Sequence, residues 1–241
     1  MRIALFMVTL CVTLAGCATG PTANSRDPRD PFEPFNRSIF GFNDAVDRAV
    51  LKPVATAYRD ITPSVVRKGV GNFFANLEDF WSLANNLLQL KGRAAADTAV
   101  RLSVNTFLGL GGLIDLGDEM GIDRHKEDFG KTLGHWGVPS GPYLVLPFLG
   151  NSTVRDAAAL PVDFKGDMVS NLSHTPTRFS LKALNLIDFR ASFLNASALI
   201  EGAALDKYTF TRDAHLQTRQ NAIDIGNSPD EDDAPIKPPA K

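Results

Sequence analysis

Four histidines and two cysteines are the chain's ready metal ligands and nucleophiles, and three glycine-bearing motifs are its candidates for holding phosphate or activating a serine. His125, His135, His174 and His215 never recur at i, i+3 or i+4, and no HExxH spacing exists, so a zinc site is not indicated. Each histidine reads as a surface or hydrogen-bonding residue. Gly130-Lys131-Thr132 ends like a P-loop, but the earlier glycine it needs is His125, and without it the phosphate cradle is missing. Gly109-Leu110-Gly111-Gly112-Leu113-Ile114 starts like a dinucleotide fingerprint. It ends in Ile114 and follows a helical pattern rather than a strand. In Gly137-Val138-Pro139-Ser140-Gly141 the serine stands one place late for a nucleophile elbow, and a proline precedes it. No motif supports an enzyme, although scattered carboxylates can still converge in three dimensions.

The cysteines belong to a targeting segment. Arg2 precedes the apolar run Ile3 to Leu14, and Leu14-Ala15-Gly16-Cys17 follows. Small residues ahead of a cysteine resemble the lipobox of bacterial lipoproteins, where the signal is cut before a cysteine that then carries acyl chains. An ordinary signal peptide or a single anchor helix are the alternatives, and the run is short for a span. Ala18, not Asp, follows Cys17, which is similar to lipoproteins sorted to the outer membrane. Cys11 leaves with the signal, so the mature chain would hold no free thiol, disulfide or Cys-bound metal. The formal charge of −2 carries no basic excess, so neither nucleic acid nor an anionic surface is indicated as a partner.

Residues 1–16 are therefore read as signal peptide, 17–29 as lipidated cysteine and flexible tether, and 30–226 as one domain. The acidic, proline-rich residues 227–241 are read as a disordered tail. Helical periodicity dominates the domain. Phe35, Ile39, Phe42, Val46 and Val50 share one face, with Pro53 ending or bending that helix. Residues 64–90 carry a wide apolar stripe through Phe73, Leu77, Phe80, Trp81, Ala84, Leu87 and Leu88, for which core packing is favoured over a lipid-facing role. A third helix covers 94–108. Asp123 to Asp128 reads as a solvated charged loop, and Asn151 to Asp163 as a short helix and turn closed by Pro161. Thr175-Pro176 signals a helix start, with Thr175 as cap and a run to about Tyr208. A polar helix from about Arg212 to Ile225 comes last. The fold class is mainly α, one domain, with a small hairpin.

The hairpin is expected between Leu133 and Val154, which hold no Asp, Glu, Lys or Arg. Pro139, Pro142 and Pro147 exclude a spanning helix there. Such backbone does not meet lipid unpaired. It is either a buried hairpin in a soluble core or a protein-enclosed segment at membrane depth.

Ordered blocks from Asp30 to Ile225 resemble the MlaA/VacJ family of outer-membrane lipoproteins. They include Asp30-Pro31-Phe32-Glu33, Phe35-Asn36-Arg37, Asn76-Leu77-Glu78, Asp128-Phe129-Gly130, Gly141-Pro142-Tyr143 and Leu146-Pro147. Asn151-Ser152 departs from the usual Pro-Ser, and Ala157 to Ala159 stand where a glycine is usual. The resemblance implies a helical, ring-like protein in the inner leaflet of the outer membrane, facing the periplasm. It implies an amphipathic channel that removes mislocalised phospholipid from the outer leaflet, without cofactor or covalent chemistry. A trimeric porin and a soluble, MlaC-like periplasmic lipid carrier are the implied partners. A scaffold lipoprotein that only holds a porin or periplasmic partner is the alternative, and a lipid hydrolase comes third. Phe42 and Asn43 lie where the family has an aromatic–asparagine pair lining or gating the lipid path. Leu133 to Leu149, with Leu133, Trp136, Gly141, Pro142, Tyr143 and Pro147, is expected to form a hairpin-like gate. Trp136 and Tyr143 are placed near headgroups.

Overall fold

The computed structural model describes residues 27–227. The signal, Cys17 and the tail from residue 228 onward lie outside the described residues. Ten α-helices and one two-stranded hairpin follow in chain order: α1 Glu33–Val46, α2 Lys52–Ile61, α3 Ser64–Leu88, α4 Gly92–Phe107, α5 Leu116–Glu119 and α6 Phe129–His135; then β1 Tyr143–Leu146 and β2 Gly150–Thr153; then α7 Val154–Gly166, α8 Thr175–Ser192, α9 Leu194–Ala203 and α10 Lys207–Asn227.

Pro53 does not end the first helical run. A π-helical turn, Asp47–Leu51, joins α1 to α2, and the Lys52 amide reaches back five residues to the Asp47 carbonyl. Pro53 then sits in the first turn of α2, where a missing N–H leaves no partner unmet. Pro161 likewise lies inside α7 rather than closing it. The residue whose carbonyl its ring crowds is Ala157, one of three consecutive alanines. The short helix expected from Asn151 begins later, because Asn151 to Thr153 pair with β1 in the register Tyr143–Thr153 to Leu146–Gly150. Thr153 then caps α7 by accepting from the Asp156 amide.

The long helix expected from Thr175 to Tyr208 is three pieces. His174, not Thr175, caps its start. Ser192 and Ser197 turn their hydroxyls onto the Phe189 and Leu194 carbonyls, a local bond that competes with the helix ladder. The helix breaks at Phe193, and the chain is extended at Ala204. The Asp206 carboxylate accepts from the Tyr208 amide and the Thr209 hydroxyl and so starts α10 early.

The packed pairs run in a closed circuit: α1 to α2 through the π turn, α2 to α8, α8 to α3, α3 to α6, α6 to α7, α7 to the hairpin, and the hairpin back to α1. This is the ring. The last helix, α10, lies against α6 and β2. Asp27 to Arg29, read as the end of the tether, belong to this body. The Arg29 carbonyl accepts from the Tyr143 amide, and Arg29 pairs with Asp213.

Candidate functional site

The hairpin is locked to α1 by two asparagines. Asn36 and Asn43 are seven residues apart, about two turns, so they share a face. Asn36 is fully buried. Its Oδ1 accepts from the Val145 amide, and its Nδ2 donates to the Tyr143 carbonyl and to Asp30. Asn43 does the same at the turn, donating to the Leu146 carbonyl and accepting from the Phe148 amide. The pair satisfies the free edge of β1, which would otherwise present bare backbone groups. Tyr143 and Val145 then bury against Tyr208, Ile39, Phe40 and Leu216.

Other residues singled out from the sequence fall in different places. Phe42 meets Phe148 edge to face, ring centroids 5.3 Å apart. Pro147 is exposed beside Phe148, which is 73% exposed. Phe42, Asn43 and the hairpin tip are therefore brought together. Tyr143 is fully buried, which corrects its expected place among headgroups: its ring is core, and its hydroxyl donates to Asn151. Gly141 turns the chain at φ +66°, where a Cβ would come within 3.2 Å of Val154, and the Pro142 carbonyl accepts from the Val154 amide. Leu133 and Trp136 belong to α6 and its exit, not to the hairpin. Trp136 is half exposed, with its indole N–H on the Leu88 carbonyl at 3.3 Å. The stretch expected to act as one hairpin is thus helix, loop and strand. Neither is it a buried hairpin throughout, because its tip is open and apolar.

The faces of α3 and α4 correct the expectation of a packed apolar stripe. On α3 the buried residues are Phe74, Asn76, Asp79, Ser82, Asn85 and Asn86, while Phe80, Leu87 and Leu88 are exposed. On α4 they are Ala94, Ala95, Thr98, Arg101 and Asn105, while Phe107 is 83% exposed. The amphipathic helices turn their polar side inward. The charged loop Asp123 to Asp128 is solvated as expected at Asp123, Arg124 and Lys126, which are exposed, and it also pairs with that side. Arg124 pairs with Asp79, Lys126 with Glu78, His125 with Asp97, and Glu127 with Lys91 and Gln89. Burial pushes the Asp79 carboxyl up, and Arg124 opposes this. Close approach is needed where the loop after α4 returns: at Gly112, φ +93°, a Cβ would lie 2.6 Å from Asn76.

A cavity of about 340 Å³ opens between α3, α7 and α8. Phe74, Trp81 and Phe164 wall it, and Asp163 is among its lining residues. Asp163 Oδ1 accepts from the Trp81 indole and the Phe129 amide, both at 2.8 Å. Burial pushes this carboxyl up, and the two N–H donors offset part of that. Phe164 also borders a second hollow of about 440 Å³ that holds Lys165, Arg178 and Lys182. Sequence reasoning missed Asp163, and no local signal marked it, since its partners lie far off in the chain. Among the described residues no group of His, Cys, Asp or Glu could hold a metal ion, and no helix is long and apolar enough to cross a membrane.

Polar side chains packed between helices and many large apolar ones on the surface define a protein built to meet a lipid or protein surface over much of its exterior. The comparisons make the assignment specific. The family model for the MlaA lipoprotein matches residues 28–222. The intermembrane phospholipid transport system lipoprotein MlaA of Escherichia coli K12 is 35% identical over 222 residues, 90% of this chain and 87% of that one. Its counterpart of the same description in Haemophilus influenzae is 32% identical, covering 89% and 88%. A chain solved in work on the structural basis for maintenance of bacterial outer membrane lipid asymmetry superposes with a TM-score of 0.71 at 35% identity. The match covers 80% of this chain and 98% of that one. The chain belongs to the MlaA lipoprotein family.

Proposed function

We propose that this protein takes mislocalised phospholipid out of the outer leaflet of the outer membrane and so maintains lipid asymmetry. It acts as a lipoprotein anchored through acylated Cys17, in the inner leaflet and facing the periplasm. The lipid passes through an amphipathic path in the ring and leaves on a soluble periplasmic lipid carrier, while a trimeric porin holds the protein in place. The observation that carries this reading is the inversion of α3 and α4. A path for a phospholipid has to suit a charged head and apolar chains together, so polar groups belong inside a ring whose exterior is apolar. The polar seam that α3 shares with α4 and the 123–128 loop supplies the polar groups, and exposed side chains such as Phe107 and Phe148 supply the apolar exterior. Passage down a gradient uses no covalent chemistry and no bound cofactor.

The test is deletion of the gene with assay of surface-exposed phospholipid, followed by complementation. Loss of asymmetry restored by the intact gene is the expected result. Unchanged outer-leaflet composition and detergent sensitivity would overturn it. A purified protein that holds a porin but carries no phospholipid would favour a scaffold instead.

A further inference from the structure

The cavity between α3, α7 and α8 has a charge pattern that transport alone does not require. Its other acids carry cationic partners: Glu78 has Lys126, Glu127 has Lys91, Asp128 has Arg219, and Asp167 has Lys182. Asp163 makes no ion pair among the described residues; Arg219 acts on it only at longer range and is itself held by Asp128 and Asp156. The two hydrogen bonds to Asp163 come from neutral N–H groups onto one oxygen, and the second oxygen is left for a ligand. Around it stand the rings of Phe74, Trp81 and Phe164. A carboxylate among aromatic faces suits an organic ammonium, which gains from the ring quadrupoles as well as the charge. A divalent cation would want several oxygens and finds a single free carboxylate. Across Phe164 the sign of charge reverses. Lys182 Nζ stands 5.5 Å from that ring's centroid and 3.6 Å from Asp167, with Lys165 and Arg178 in the same hollow.

We propose that the two hollows together receive a zwitterionic phospholipid headgroup, its ammonium at Asp163 and its phosphate at Lys182 and Arg178. This rests on the transport reading above and names the lipid class it favours, the primary-amine phospholipids over the anionic glycerol-headed ones.

The experiment uses the full acylated protein in detergent, with short-chain phosphatidylethanolamine and phosphatidylglycerol as probes and tryptophan fluorescence as readout. Trp136→Phe leaves Trp81 as the sole reporter, since the chain has two tryptophans. Phosphatidylethanolamine should bind about tenfold more tightly, the size of one charge-assisted bond. Asp163→Asn keeps an acceptor for Trp81 and Phe129, and should erase the preference for phosphatidylethanolamine over phosphatidylglycerol. Lys182→Gln should weaken both lipids alike, because both carry the phosphate. If Asp163→Asn fails to fold, Phe164→Leu replaces it and should cut the preference severalfold. Equal affinities in the wild type, or a preference that survives Asp163→Asn or, in its place, Phe164→Leu, would overturn the assignment. So would an oligolysine peptide that competes while the two lipids do not differ. Equal binding with asymmetry intact sinks the headgroup assignment alone, whereas no binding of either lipid together with unchanged surface phospholipid on gene deletion sinks the transport reading too.

Discussion

Asn36 and Asn43 make the same kind of contact with the hairpin, yet their replacement should have different consequences. Asn36→Ala strands the Tyr143 carbonyl, the Val145 amide and one oxygen of Asp30, all at a fully buried site. Each unsatisfied buried group costs about 1–3 kcal/mol. With water kept out, the total is roughly 3–5 kcal/mol, a large share of the ~5–15 kcal/mol that stabilises a typical domain. Asn43→Ala releases the Leu146 carbonyl and the Phe148 amide at the exposed end of the hairpin. Water can take both, so the loss is roughly 1–2 kcal/mol. At about 2–4 °C per kcal/mol for a domain of this size, the melting temperature should fall by roughly 10 °C for Asn36→Ala and about 4 °C for Asn43→Ala. Thermal unfolding in detergent measures this. Amide exchange separates the two further: Asn43→Ala should speed Phe148 and spare Val145, and Asn36→Ala should speed both. Equal melting shifts, or an Asn36→Ala protein within about 1 kcal/mol of wild type, would refute the idea that the two asparagines complete the strand edge.

A disulfide between Phe42→Cys and Phe148→Cys, whose rings now touch, would tie the hairpin tip to α1. If the tip gates the lipid path, oxidation should block phospholipid removal and reduction should restore it, whereas full activity of the crosslinked protein would make the tip scaffolding. His215 is held below its usual pKa, first by burial and then by Arg219, with Asp156 opposing. The unfolded chain therefore binds more protons than the folded one below about pH 6.5, so stability should fall with acid through that window. His215→Gln should flatten the loss when melting temperatures are compared at about pH 8 and about pH 5; an unchanged slope would show that other groups carry it. Cys17→Ala should leave unprocessed precursor in the inner membrane, and normal outer-membrane fractionation of that variant would rule out the acyl anchor.

What the sequence settled by itself was local. Side-chain periodicity marked the first helices, the charge-free glycine- and proline-rich stretch between Leu133 and Val154 marked a hairpin, and ordered blocks of residues pointed to the family. These signals lie within a turn or two of chain, where spacing maps directly onto geometry. Proline was over-read. Pro53 reads as the end or a bend of its helix and Pro161 as a stop, whereas Pro53 falls in a first turn and Pro161 inside a helix, and where a helix begins is not written at the proline. The facing of α3 was misjudged for a deeper reason. Periodicity divides a helix into an apolar and a polar side, but it does not state which side meets the protein. That follows from what the rest of the chain offers, and here the helices offer Thr98 and Thr132, and the charged loop Arg124 and the His125 carbonyl, to the side bearing Asp79, Asn85 and Asn86. Asp163 is the extreme case. It gains its meaning from Trp81, 82 residues earlier, and Phe129, 34 earlier. A carboxylate becomes a site only when folding fills one oxygen with neutral donors, surrounds it with rings and holds the nearby Arg219 on Asp128 and Asp156. No stretch of sequence holds those conditions together, and the closed circuit of helices does.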